Sequence, residues 1–230
     1  MEIKKHKKVA ILFGASGLVG GHCLEELLKH EAYHQILSFG RNRLTLQHPK
    51  LKQYIVDFEV LAEYEAFIKG NDVYLCLGTT RAKAGKEGFF KVDFEYAFTA
   101  AKIAALNEAN QLLLVSSVGA DKDSYFFYTK VKGSLEEVVC KLPFWSIHIF
   151  QPSFLIGDRT EVRVGEQIGT TISNLFTKIV GPKALGKYAP VEAKSVAKAM
   201  VKAAQQINKG THIYTATDIE ELAKELLLLD

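Results

Sequence analysis

Short, almost wholly apolar runs alternate along this chain with longer stretches in which apolar residues recur every three to four positions. Residues 9–13 form the first run, and 18–29 follow with Leu24, Leu27 and Leu28 on one helical face. Runs at 36–39, 54–56, 73–77, 112–116, 146–150 and 212–215 have strand length. Helices are predicted over 61–68, 97–109, 124–141, 192–207 and 219–229. Strands that are apolar on both faces belong to a parallel sheet covered by helices on both sides. The alternation therefore predicts an α/β fold of the Rossmann type, a doubly wound parallel sheet in a single domain over 1–230. Residues 157–190 have the least regular pattern and a charged start, so they are expected to form a small C-terminal cap on the substrate side.

Composition narrows the class without naming a function. Hydrophobic residues make up 48% of the 230 positions and charged residues 24%, as in an ordinary globular domain. A net charge of +3 is too weak a field to make nucleic acid the expected partner. Cys23, Cys76 and Cys140 lie far apart and form no Cys-x-x-Cys pair, which fits a reducing compartment. Lys4, Lys5, Lys7 and Lys8 before the first apolar run imitate a secretory signal, but that run stops at Gly14 after five residues. No other stretch has the length to span a bilayer, so a cytoplasmic protein without a membrane partner is expected.

The first chemical signal is Gly14-Ala15-Ser16-Gly17-Leu18-Val19-Gly20, which closes the first strand and opens the first helix. Small residues let the chain turn sharply and let its backbone approach a pyrophosphate. The free N–H groups and positive end of the helix then face the phosphates. This strand–loop–helix setting makes the glycine trio a dinucleotide-binding signal. After the second strand comes Arg41-Asn42-Arg43, with no acid between Glu31 and Asp57. An acid at this point bonds the ribose hydroxyls of NAD, whereas cations suit the extra phosphate of NADP. NADP(H) is therefore the expected cofactor. Asp57 and Phe58, after the third strand, either cup the adenine or serve as a strand-end aspartate and a core phenylalanine.

Tyr128 and Lys132 stand four residues apart in a predicted helix and so share a face. An ammonium beside a phenol favours the phenolate, which suits a tyrosine that exchanges a proton with a carbonyl or alcohol. Lys132 can also bond the nicotinamide ribose. Ser117 closes the preceding strand, where its hydroxyl can orient a substrate oxygen. Together these residues resemble the short-chain dehydrogenase/reductase superfamily in its compact atypical branch. Longer strings resemble the Tat-interacting oxidoreductase-like (tumour-suppressor) family and its bacterial relatives: Val56-Asp57-Phe58-Glu59, Cys76-Leu77-Gly78-Thr79-Thr80-Arg81, Lys83-Ala84-Gly85 and Ser116–Lys122. That resemblance runs over most of the chain and weakens after about Gly186. It implies that Leu77, Gly78 and Thr79 run under the cofactor and that Pro152 and Ser153 flank the nicotinamide. Two positions depart from it: Gln151 stands where many relatives have arginine, and Asp93 where many extended members have asparagine.

Other signals carry less. His30-Glu31-Ala32-Tyr33-His34 matches a zinc-protease pattern, but the helix must end there for the next strand to begin, so no metal is expected. Arg81, Lys83, Lys86 and Lys91 read as an exposed loop or as an entrance for an anionic substrate. The expected function is that of an NADP(H)-dependent oxidoreductase acting on a small carbonyl or alcohol. The alternatives are a cofactor-bound sensor with a protein partner and a sugar-nucleotide epimerase or dehydratase, for which the chain is short.

Overall fold

The computed structural model describes residues 7–156 and 186–224. Seven strands form one parallel sheet: β1 (Lys8–Phe13), β2 (Tyr33–Gly40), β3 (Leu51–Ile55), β4 (Asp72–Leu75), β5 (Gln111–Val115), β6 (Ser146–Phe150) and a last strand, Gly210–Tyr214. Leu155–Ile156 (β7) and Val191–Glu192 (β8) pair separately, which makes the last strand β9. The order across the sheet is β3-β2-β1-β4-β5-β6-β9. Successive crossovers run one way from β1 to β3 and the other way from β4 onward, so the carboxyl ends of β1 and β4 flank a topological switch point.

Side-chain alternation explains why both faces are apolar. Ala10 and Leu12 of β1 point to one side, with Ile36, Tyr74, Leu113 and Phe150. There they meet Cys23, Leu24 and Leu27 of α1 (Leu18–Lys29) and residues of two further helices, Ala193–Ala203 and Ala216–Lys224. Ile11 and Phe13 point to the other side, with Phe39, Val73, Leu112 and Ile149, against α3 (Ala97–Leu106) and α4 (Phe127–Val139). At the amino edge, Asp72 is fully buried and is held by Lys8, Tyr33 and Gln111, which ties β1, β2, β4 and β5 together. Burial pushes its carboxyl above the usual range, and the Lys8 charge opposes that shift.

Two stretches differ from the sequence expectation. The cationic segment after β4 is not a loop: Arg81–Phe90 is helical (α2), kinked at Gly85, where φ is +69°. It continues through a π-helical stretch, Lys91–Tyr96, into α3. The helix expected over 61–68 is a 3-10 stretch, Phe58–Phe67, broken at Val60. Most of the expected cap, 157–185, lies outside the described residues. Its end is a 3-10 turn, Gly186–Tyr188, leading into β8.

Candidate functional site

The proposed cofactor and catalytic residues gather at the carboxyl edge of the sheet because each lies just beyond a strand end or in the first turns of the helix that follows. Gly14 adopts φ +86°, and a β-carbon there would lie 2.4 Å from the carbonyl oxygen of Cys76, at the end of β4. Only glycine satisfies both demands. Gly17 caps α1 with no side-chain hydrogen bond, and the first turn carries no acid, so neither the cap nor the first turn of the helix neutralises its positive end. A β-carbon on Gly17 would lie 3.1 Å from the Gly14 carbonyl oxygen, a tight fit against the loop backbone. Leu18 and Val19 begin α1, and Gly20 packs it onto the loop. This cradle at the switch point fits a dinucleotide pyrophosphate.

Arg41, Asn42 and Arg43 are exposed just past β2. Asp57 accepts a hydrogen bond from the Glu59 backbone N–H at 2.9 Å and so caps the 3-10 stretch. The ring of Phe58 is buried, stacked on Tyr96 and edge-on to Phe13. The phenylalanine ring thus packs in the core, the second of the two roles foreseen for it. Leu77, Gly78 and Thr79 follow β4 and are half-buried. Pro152 is buried after β6 and accepts from the Val118 N–H, while the Ser153 hydroxyl donates to the Ala189 carbonyl and links the end of β6 to the strand pair β7–β8.

Ser117 is buried just past β5, and Tyr128 and Lys132 lie on the first two turns of α4. Gly133 brings these elements close, since a β-carbon there would lie 2.3–2.4 Å from the backbone of Asp121 and Lys122. The loop after Ser117 therefore rests on α4, where the Asp121 N–H donates to the Thr129 carbonyl. The Tyr128 ring packs against Phe89 of α2.

Asp93, noted from sequence only as a departure from the asparagine of extended members, is an ion-pair partner of the lysine. The Lys132 ammonium lies 2.8 Å from the Asp93 carboxylate, with both side chains buried. The second Asp93 oxygen accepts the Thr79 backbone N–H at 2.8 Å. One turn beyond Lys132, Glu136 accepts from the Ser116 hydroxyl and from the Gln151 amide at 3.0 Å to each oxygen. Burial pushes the Glu136 carboxyl up, while these two donors and the Lys132 charge hold it down. Gln151, noted from sequence as a departure, thus anchors α4 to the end of β6. Of the cationic set after β4, Lys91 pairs with Glu59, and Lys86 lies over the Phe127 ring. The His-Glu-x-x-His pattern straddles the end of α1 and the start of β2, and no metal-binding cluster occurs among the described residues.

Comparisons with known proteins agree with this architecture. The NAD(P)H-binding family model matches residues 14–139. Protein HTATIP2 of Rattus norvegicus is 40% identical over 169 residues, covering 72% of this chain and 70% of the relative. Protein FMP52, mitochondrial, of Candida albicans is 35% identical over 202 residues, covering 85% and 87%. Among solved structures, the Bordetella bronchiseptica enzyme WbmH in complex with NAD+ superposes with a TM-score of 0.66 at 13% identity, covering 97% of this chain and 81% of that one. At that identity the likeness establishes the fold alone. The fungal names correct the cytoplasmic expectation, because relatives from Candida albicans and Candida glabrata are named mitochondrial. The three free cysteines, Cys23, Cys76 and Cys140, do not single out the cytoplasm. No described helix is long and apolar enough to cross a membrane. With its parallel sheet, glycine cradle and matched relatives, the chain belongs to the NAD(P)H-binding family as an atypical short-chain dehydrogenase/reductase similar to Protein HTATIP2.

Proposed function

We propose that this protein is an NADP(H)-dependent oxidoreductase that interconverts a carbonyl compound and its alcohol. The observation that carries the reading is the meeting, at one sheet edge, of the α1 glycine cradle with the α4 face bearing Tyr128 and buried Lys132. Gly14 to Gly20 hold the pyrophosphate, and Arg41 with Arg43 receives the 2′-phosphate. Asp57 lies toward the adenosine end, and Leu77, Gly78, Thr79, Pro152 and Ser153 line the path of the nicotinamide half. When bound, the nicotinamide supplies a hydride to the carbonyl carbon or accepts one from the alcohol. Ser117 orients the substrate oxygen through its hydroxyl. Tyr128 donates its phenolic proton to that oxygen in reduction and takes it back in oxidation. Lys132, held at the Asp93 carboxylate, bonds the ribose. The test has two stages: fluorescence titration of the purified protein with NADPH and NADH, then a panel of aldehydes and ketones assayed for loss of NADPH absorbance. Tighter NADPH binding together with turnover of at least one carbonyl is expected. Absence of affinity for either nucleotide overturns the reading.

A further inference from the structure

We propose that Asp93 is a positioning residue that locks the Lys132 ammonium to the loop at Thr79, setting the lysine in place before the cofactor arrives. The inference rests on the reading of Lys132 and Leu77–Thr79 as cofactor contacts.

The Asp93 side chain is 2% exposed and the Lys132 side chain 7%, so both charges have left water. Each carboxylate oxygen serves a different element: one takes the ammonium of α4 at 2.8 Å, the other the N–H of Thr79 at 2.8 Å. An ion pair this deeply buried is a poor device for stability alone, because the desolvation of two ions offsets their attraction. It does fix geometry, since neither oxygen is left to rotate toward a second partner. The backbone around Asp93 is also unusual. Lys91–Tyr96 is wound as a π-helix between two α-helices, a rare winding that frequently occurs at functional sites. The ion pair spans 39 positions of sequence and joins the loop after β4 to the catalytic helix. Asp93 contacts the proposed cofactor path only through the Thr79 backbone N–H, and its carboxylate acts on the site by holding Lys132.

The test is a double-substitution cycle on the full chain, read as NADPH affinity by fluorescence titration, with folding checked by thermal melting. Asp93→Asn keeps an oxygen that can accept the Thr79 N–H but removes the charge that holds the ammonium. It is expected to weaken NADPH about tenfold, the scale of one charge-assisted contact. Lys132→Met is expected to weaken it at least as much. If Asp93 acts through Lys132, the double substitution binds NADPH no more weakly than Lys132→Met alone. A structural aspartate would instead give losses that multiply. Should Asp93→Asn fail to fold, the double substitution removes both buried charges, and its comparison with Lys132→Met carries the test. Unchanged affinity in Asp93→Asn, or multiplying losses, overturns the proposal. A wild-type protein that binds no NADPH overturns the underlying cofactor reading, and that failure appears before any substitution is made.

Discussion

A β-carbon on Gly20 would lie 2.0 Å from the carbonyl oxygen of Gly14, so the first turn of α1 rests directly on the loop before it. Gly17 meets the same oxygen at 3.1 Å, a distance that a shift of a few tenths of an ångström relieves. The two glycines therefore answer to different constraints. Gly20→Ala should destabilise the fold itself, by about 3 kcal/mol or more, because the clash is with backbone. Gly17→Val should melt close to the wild-type temperature yet lose NADPH, since its side chain fills the pyrophosphate cradle. Thermal melting alongside NADPH titration separates them. Wild-type NADPH affinity in Gly17→Val would show that the phosphates lie elsewhere.

Cofactor choice is expected to rest on the cations after β2. NADPH should bind more tightly than NADH, and Arg41→Ala should remove most of the difference, roughly 1.5–3 kcal/mol for one charge-assisted phosphate contact. The check is a titration of both nucleotides against both proteins. Equal wild-type affinities would remove the case for NADP.

His148 makes stability depend on pH. Its ring is buried in β6 among Ser146, Gln111 and Tyr214 and stacks on His212. Burial, followed by the His212 charge, lowers its pKa from 6.5 to about 4. Between those values the unfolded chain binds a proton that the folded chain refuses, so stability falls as pH drops from about 6.5 to about 4. The loss is at most about 3 kcal/mol. Asp72 and Glu136, whose carboxyls are raised by burial, contribute the opposite slope above the ordinary carboxylate range. Urea unfolding across this range should show a shallower acid decline in His148→Gln than in wild type. Identical slopes would assign the decline to other groups.

Much of this architecture was legible in sequence because it depends on local pattern. The helix expected over 18–29 is α1, and the runs at 9–13 and 146–150 fall on β1 and β6. Helix α2 was not legible. It buries a single residue, Phe89, and contains Gly85 and Gly88, so it shows no apolar stripe. The π-helical winding at Lys91–Tyr96 has no periodicity signal of its own. The Lys132–Asp93 and Gln151–Glu136 contacts are tertiary, and the spacing of neither pair announces them. The close approach of the Asp121–Lys122 backbone to α4 has a local correlate in Gly133, a glycine inside the helix.

The most direct test of the proposed oxidoreductase is turnover in Tyr128→Phe. The substitution keeps the ring that packs on Phe89 and removes only the hydroxyl. NADPH affinity should be nearly unchanged, while reduction of any carbonyl accepted by the wild type should slow by a factor on the order of 10²–10⁴. Full turnover in Tyr128→Phe on such a substrate would make Tyr128 a packing residue and contradict the assigned proton transfer.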